Sequence, residues 1–523
     1  MSSAPTHELV ASIAGRYLAI SRTPPITSDL RLMPSKRYQT SRRFPLAWHP
    51  SHHATRDSRA ILATMLRSYA PSRIGYSSRA SMARLTGIGA HIGDEPWWHA
   101  LEAVNLRRPV PSGGAYYPVE LYAAIPGDTG LSPGIYHHDA FHHVLELVRN
   151  DDPRPLLAHA TVDGEPDMAV LLACRLFKNA AKYGNFSYHI VGLDTGVVLG
   201  QLIADAPANS RVSFFFLDDA LDGLLGVRSE LETVYAAVLL DRLPAQAGTG
   251  PGVPEGSDPG DGALPTAVGL AGDEQNRLLV DPLVRELASA SRITDSSRLP
   301  QLPVMTPLAP DPPRTTLALP KTEPLPSTAG ADRRSAVSFD PRPLPLRQLA
   351  AVLSETSRAY LSDVAGTSEG ATPVQVYCVA SAVEGIAEGV YRYEPVAHEL
   401  ARRRVVAPFP ALRAAVRLDP QLVFASTSLF VVGAPAAALP EVGDRWYRVT
   451  NMLAGVMLQR MCRAAAALGL GARPNLGFAS AAVADLLDLP PGQLPLVQLL
   501  IGHAASRPGC LDLRLHVETG ARA

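Results

Sequence analysis

Two stretches of the chain alternate apolar and polar residues in the same way. "PVELYAAIP" (Pro118–Pro126) and "PVQVYCVAS" (Pro373–Ser381) each follow a turn-forming segment and predict a strand, since alternate side chains of a strand face opposite sides. "GIYHHD" from Gly134 and "GVYRYEP" from Gly389 predict the next strand, entering a hairpin. Then the period changes. "DTGVVLGQLIADA" and "VTNMLAGVMLQRMCRAAAALGLG" are apolar on most faces, which predicts helices buried all round. "ETVYAAVLL" and "LPLVQLLIGH" are apolar runs that predict buried strands closing each set. A helix carrying Leu346, Leu349, Ala350 and Leu353 at helical spacing is expected near the start of the second set.

The parallels amount to a repeat. Pro118 and Pro373, Tyr122 and Tyr377, and Gly134 and Gly389 are all 255 residues apart. A unit of that length present twice is a duplicated domain rather than a solenoid. It most simply mimics a homodimer within one chain. Residues 241–330 hold 15 of the 47 prolines, so they read as an extended connector. Inside it, "DPLVRELASAS" predicts a short helix capped by Asp281, with Pro282 in its first turn. The expected organisation is a mainly helical N-terminal extension (1–94), a first domain (95–241), a Pro/Gly-rich linker (242–331) and a second domain (332–523).

Composition narrows the classes. A chain of 523 residues exceeds one ordinary core, which supports two domains. A formal net charge of −1 gives no basic surplus for nucleic acid. Four scattered cysteines without a C-x-x-C pair make neither a disulfide framework nor a zinc signature. No secretory pattern opens the sequence, and no run of 18 apolar residues occurs. The expectation is a cytoplasmic protein that binds neither nucleic acid nor membrane.

Three motifs carry candidate chemistry. In "RRPVPSGGAYYPVELY", Pro111 and Ser112 precede Gly113 and Gly114. Glycines that take positive φ expose N–H groups to an anion, and Ser112 adds a hydroxyl; a bare turn explains the same residues. In "DRRSAVSF", Arg333, Arg334 and Ser335 could hold phosphate through guanidinium forks and a hydroxyl, or be a solvated basic pair. In "YHHDAFHHV", His137, His138, His142 and His143 invite a metal, but strand alternation sends neighbouring histidines to opposite faces, so no metal is expected.

Together, "RRSAVSF" opening a domain, a "PSGG…YP" loop, buried central helices and a closing "GLG…GF…IGH" resemble the FMN-dependent nitroreductase superfamily. "RRPVPSGGAYYPVELY", "GIYHHD" and "KYGNFSYHIVGLDTGVVLGQ" resemble its SagB-type branch, the azoline dehydrogenases of thiazole/oxazole-modified peptide biosynthesis. The resemblance spans roughly Glu95 to Leu240 and Arg333 to His503, and the second copy is the more divergent. It implies an α+β fold, with tandem nitroreductase-like domains forming an intramolecular pseudo-dimer. It further implies FMN held between the copies. Arg333, Arg334 and Ser335 would grip its phosphate from one side, and the Pro111–Gly114 loop would meet it from the other.

The duplication divides these parts. The second copy's loop, "GTSEG", lacks the proline and has Glu369 where Gly114 stands; a carboxylate there repels phosphate. The first copy lacks a convincing Arg-Arg-Ser, although "TSRRFP" offers Arg42 and Arg43. One working site and one dead site are expected. Val337 stands where the family has a further arginine, which implies either a lower phosphate affinity or compensation by Arg507.

The resemblance also carries a catalytic pair onto Lys182 and Tyr183. Aromatising an azoline removes a proton and a hydride, and the proton needs a base within reach; a desolvated lysine can be that base. Read locally, the same residues are a helix-end lysine and a core tyrosine. "DRWYRVTN", with Trp446 and Tyr447, is taken as the comparable second-copy segment, without a lysine. The implied partners are a modified precursor peptide, a cyclodehydratase and a leader-binding component, with oxygen reoxidising the flavin. The rival expectations are an NAD(P)H-dependent nitroreductase-type flavin reductase and a flavin-free scaffold.

Overall fold

The computed structural model describes residues 12–20, 36–38, 41–48, 58–70, 73–75, 106–126, 131–162, 166–240, 267–268, 278–304, 315–325, 330, 333–365, 367, 373–405, 408–417, 420–505 and 512–514. Both alternating stretches are strands, Val119–Ile125 and Val374–Ala380. Each pairs antiparallel with the predicted next strand, Gly134–Asp139 or Gly389–Glu394. The register repeats as well. Tyr122 faces His137 and Tyr377 faces Arg392. In both copies the register slips once, after Ile135 and after Val390. Both hairpins then turn through a left-handed residue, His143 at φ 53° and His398 at φ 52°. Duplication thus extends to a bulge and a strained turn residue, features that composition alone does not impose.

The strands build two large sheets. The first runs Leu361–Ser362, Ser210–Ser213, Thr233–Leu240, Met168–Cys174, Val119–Ile125, Gly134–Asp139, Val144–Arg149, Arg43–Pro45. The second runs Thr316–Ala318, Glu399–Arg404, Gly389–Glu394, Val374–Ala380, Thr427–Gly433, Leu494–Ala504, Phe339–Asp340, with Gly471–Asn475 also on Leu494–Ala504. Short helices cover the outer face of each sheet, Arg154–Ala160 with Asp218–Leu225 and Pro408–Ala415 with Ser480–Leu486. The architecture is α+β and doubled.

Between the sheets lie the two apolar helices, Ser187–Asp205 and Arg445–Ala467. They run parallel, and like residues meet. Tyr188 and Tyr447, 259 residues apart like the turn glycines Gly184 and Gly443, stack ring on ring at 6.1 Å, and Gln459 Nε2 donates to Gln201 Oε1 at 2.8 Å. A residue touches its own counterpart only on a two-fold axis, so the axis of the pseudo-dimer runs between these helices. Glycines permit the closeness. A Cβ on Gly196 would lie 1.9 Å from the Met452 carbonyl oxygen, and one on Gly455 2.3 Å from that of Leu193. Leucines, valines and alanines of both halves form one continuous core around the pair.

The connector helix forms at Pro282–Ala290, with the Asp281 carboxylate accepting from Leu283 N–H at 2.8 Å. Ahead of Leu106, the described residues hold helices Ile13–Ile20 and Ser58–Arg67 together with strands such as Arg43–Pro45. That region is therefore built into the first sheet and its core.

One strand crosses over. Leu361–Ser362, from the second half, lies parallel to Ser210–Ser213 of the first. Asp363 follows and accepts from the N–H groups of Phe214 and Phe215 and from the Ser213 hydroxyl. In the second half the topologically equivalent strand, Gly471–Asn475, has a parallel neighbour too: Ser335, beside Ala472. The two positions correspond. The arginine-serine segment stands at one, and Tyr360–Asp363 fills the other.

Candidate active site

Arg333 of the second half meets the segment that leads into the glycine loop of the first. Arg333 is 4% exposed, and its Nε donates to the carbonyl of Pro109, two residues ahead of Pro111. Its Nη1 lies 3.4 Å from Ser335 Oγ. Burial lowers the Arg333 pKa, the cost of bringing a guanidinium into the interface. Arg334, the next residue, is exposed. Pro111 to Gly114 are half-buried, so the cleft is open on the loop side. Arg507 and Glu369 lie outside the described residues.

The loop's donors are engaged within the chain. Ser112 Oγ donates to Asp194 Oδ2 at 2.6 Å, and Gly113 N–H reaches both Asp194 oxygens at 3.1 Å. Ser112 Oγ in turn accepts from Tyr117 N–H at 3.0 Å. The hydroxyl and amide read from the sequence as donors for an outside anion thus serve an inside one. Asp194 comes from the first central helix, where an acid stands alone among apolar neighbours. That isolation was the signal in the sequence, and motif reasoning passed over it. Gly113 must be glycine, because a Cβ would sit 2.4 Å from Ile190 Cγ2. Gly114 takes φ 65°, and its Cβ position is 3.1 Å from the Tyr183 hydroxyl.

Burial pushes the Asp194 carboxyl up to about 7, against the pull of Ser112 and Gly113. The folded protein therefore holds this proton more tightly than the unfolded chain. The stability so gained is complete below the ordinary aspartate value of 3.8 and is lost as pH rises through about 7. Asp194→Asn should flatten the melting temperature between about pH 4 and 7 relative to wild type. Thermal scans across that range check it.

Lys182 and Tyr183 end the helix Phe177–Tyr183, which leads directly into the first central helix. Lys182 Nζ lies 5.9 Å from the Tyr116 ring centroid and 5.2 Å from that of Tyr183, against the glycine loop. One turn earlier, Lys178 has a different fate. It is 2% exposed, donates to Tyr117 O at 3.0 Å and stands 3.8 Å from Glu120. Of the two lysines, Lys182 borders the open cleft and Lys178 is a buried strut.

Two sequence comparisons change here. The stacked rings of Tyr188 and Tyr447 and the reciprocal contacts Gly196–Met452 and Gly455–Leu193 set the helix register, so Tyr447 is the counterpart of Tyr188, not of Tyr183. Shifting Lys182 and Tyr183 by the same 259 residues gives Glu441 and Val442, so the second half still lacks the lysine. The resemblance of local sequence misleads because Tyr183 ends the helix before the turn, whereas Trp446 and Tyr447 lie within the second central helix. Arg43, for its part, lies on an edge strand, held by Asp139 and Glu146, and Arg42 stacks on Phe44. Neither stands at a position corresponding to Arg333.

The histidines disperse as alternation requires. His137 bonds Glu146 at 3.0 Å and faces Glu120 at 3.5 Å, while His138 meets His143 at 3.1 Å. Among the described residues no group of three or more His, Cys, Asp or Glu is placed to hold a metal.

Residues 331–503 match the nitroreductase family model. This part of the chain is similar to the nitroreductase family. A crystal structure of a protein from Anabaena variabilis, described as a nitroreductase, superposes with a TM-score of 0.71 at 20% identity. The match covers 94% of this chain and 100% of that one, so the doubled nitroreductase fold is shared as a whole. A Methanocaldococcus jannaschii protein named as a nitroreductase is 28% identical over 176 residues, 32% of this chain and 86% of that one. The trifolitoxin-processing protein TfxB of Rhizobium leguminosarum is 40% identical over 45 residues, 8% of this chain and only 12% of that protein. Nitroreductase-family proteins typically bind flavin.

The cleft fits such a group. Arg108 Nη1 and Asn179 Oδ1 are buried polar atoms without a hydrogen-bond partner, and both belong to residues that border the glycine loop. Gly114 leaves open a space that a Cβ would narrow against Tyr183.

Proposed function

We propose that the protein is an FMN-dependent dehydrogenase that oxidises thiazoline or oxazoline rings of a ribosomally made peptide to thiazoles or oxazoles. One observation carries this reading: Lys182 and Tyr183 stand against the first half's glycine loop, whose foot, at Pro109, is bonded by Arg333 of the second half. Arg333, Arg334 and Ser335 would hold the FMN phosphate, with Arg507 as a further candidate. Pro111, Ser112, Gly113 and Gly114 would line the flavin, shaped by Asp194 from behind. When bound, FMN supplies the hydride acceptor. Lys182 Nζ takes the proton from the ring carbon, and Tyr183 orients the lysine.

A peptide substrate is supported by the stretch similar to TfxB, whose name assigns it to toxin processing. The corresponding partners are a cyclodehydratase, which forms the azoline, and a leader-binding component. The competing reading, an NAD(P)H-dependent nitroreductase, takes its support from the name of the Methanocaldococcus relative. The purified protein with FMN should remove two hydrogens per ring from an azoline-containing peptide, read by mass spectrometry. Rapid NADH oxidation with a nitroarene, and no change in the peptide, would favour the reductase instead.

One flavin per chain is expected, not two. The position corresponding to Ser335 in the first half is filled by Tyr360–Asp363, and Asp363 bonds the N–H groups of Phe214 and Phe215. Absorbance of released flavin against protein concentration measures the ratio. A value near two would mean that this plug is displaced.

A further inference from the structure

The helix Ile13–Ile20 lies outside the duplication, yet it reaches the axis of the pseudo-dimer. Its Tyr17 is fully buried, edge-on to Tyr188 of the first half at 6.0 Å and to Tyr447 of the second at 5.4 Å. The Tyr17 hydroxyl donates to the carbonyl of Asn185 at 2.6 Å and accepts from the N–H of His189 at 3.3 Å. These two groups flank the entry to the first central helix. His189 N–H belongs to the first turn of that helix, where no carbonyl of the helix itself is available to receive it. Asn185 lies two residues beyond Tyr183, in the tight turn Gly184–Phe186 that opens with Gly184 at φ 53°.

The second half has the equivalent turn. Gly443 takes φ 61°, and Asp444 follows it into the second central helix. The same N-terminal helix grips this turn too, through Ala14 N–H, which donates to Asp444 Oδ1 at 2.8 Å. The connector helix Pro282–Ala290 closes the arrangement. Glu286 pairs with Arg16, while Ser291, at the end of that helix, donates to Asp444 O at 3.3 Å and accepts from the Tyr188 hydroxyl at 3.0 Å. One unduplicated helix therefore ties both turns together, and it contacts them differently. On the first half it holds the backbone immediately behind Lys182 and Tyr183. On the second it holds a turn with no lysine ahead of it.

We propose that Tyr17 is a positioning residue. By fixing Asn185 and His189 it sets where the end of the Phe177–Tyr183 helix, and hence Lys182 Nζ, stands relative to the glycine loop. This rests on reading Lys182 as the base. It gives the N-terminal extension a role in the site without contact with substrate or flavin. It also accounts for the asymmetry between two similar halves: the extension secures the turn behind the lysine.

The test is Tyr17→Phe in the full chain, which keeps the ring packing and removes only the hydroxyl. Amide exchange of the segment 184–190 should quicken about fivefold, the loss of a hydrogen bond of ordinary strength. The FMN affinity of the apoprotein should stay within a factor of two or so, since the hydroxyl does not reach the loop. On an azoline peptide, kcat should fall about three- to tenfold with KM unchanged, because misplacement of the base affects only the chemical step. Unchanged exchange over 184–190 would overturn the clamp. Faster exchange with unchanged kcat would overturn the positioning role. If Lys182→Ala keeps full turnover, the assignment of the base fails, and that outcome is seen without reference to Tyr17.

Discussion

Lys182→Ala should retain FMN and lose azole formation. The side chain lies half-buried beside the loop, over the rings of Tyr116 and Tyr183. Removing a positioned general base costs about 10²- to 10⁴-fold in rate. The expected result is therefore an unchanged flavin spectrum, a melting temperature close to wild type and turnover reduced by at least about a hundredfold. Tyr183→Phe should be milder, because it removes an orienting hydroxyl and leaves the base. The lysine one turn back makes the contrast. Lys178→Ala removes one of the cations around the buried Glu120, which keeps Arg175 at 3.2 Å, and frees Tyr117 O. A buried acceptor left without its donor costs about 1–3 kcal/mol, so that variant should melt early. Stopped-flow flavin reduction and thermal scans of the two lysine variants separate a chemical role from a structural one. Full turnover in Lys182→Ala would remove it from the mechanism.

Much of the fold could be read from the chain because its periods are strong. Strands such as Val119–Ile125 and Val374–Ala380 alternate cleanly after a proline, and two buried helices are apolar for several turns. The repeat at 255 residues fixed the doubling, and the paired hairpin strands keep that spacing. The central helices do not keep it; their register is 259. Uniformly apolar helices offer no landmark against which a small insertion can be noticed, so Tyr447 was matched to the wrong partner. The site was legible by residue type and not by occupancy. Ser112 and Gly113 do lie at the cleft, but their donors face Asp194, 82 and 81 residues away in sequence. A hydrogen bond of that span leaves no periodicity. Tyr17 escaped for the same reason, since its partner Asn185 is 168 residues distant. The plug at Leu361–Ser362 is a two-residue strand whose identity comes entirely from the strand it meets.

If the cleft is shared, its integrity depends on residues far from it, and Gly196→Ala should break it. The glycine lies where the two central helices cross most closely, and the added methyl would stand 1.9 Å from the Met452 carbonyl oxygen and 2.6 Å from its carbon. These are backbone atoms inside a helix that is itself buried, so neither side can turn away as a side chain would. Relief requires the helices to separate. Separation uncovers the core that both halves share, and overpacking of this kind costs about 3 kcal/mol or more. Gly223→Ala is the control. It too is a helical glycine, but nothing lies within 4 Å of its Cβ position, and alanine there should stabilise by up to about 1 kcal/mol. Gly196→Ala should therefore melt well below wild type and release flavin at concentrations where wild type retains it, although no residue of the cleft has changed. The reason is geometric. Arg333 and the Pro111–Gly114 loop belong to different halves, and the contact of Arg333 Nε with Pro109 O survives only while the halves are docked. A variant that melts early yet binds FMN with wild-type affinity would place the flavin within one half, and the shared-cleft reading would fall with it.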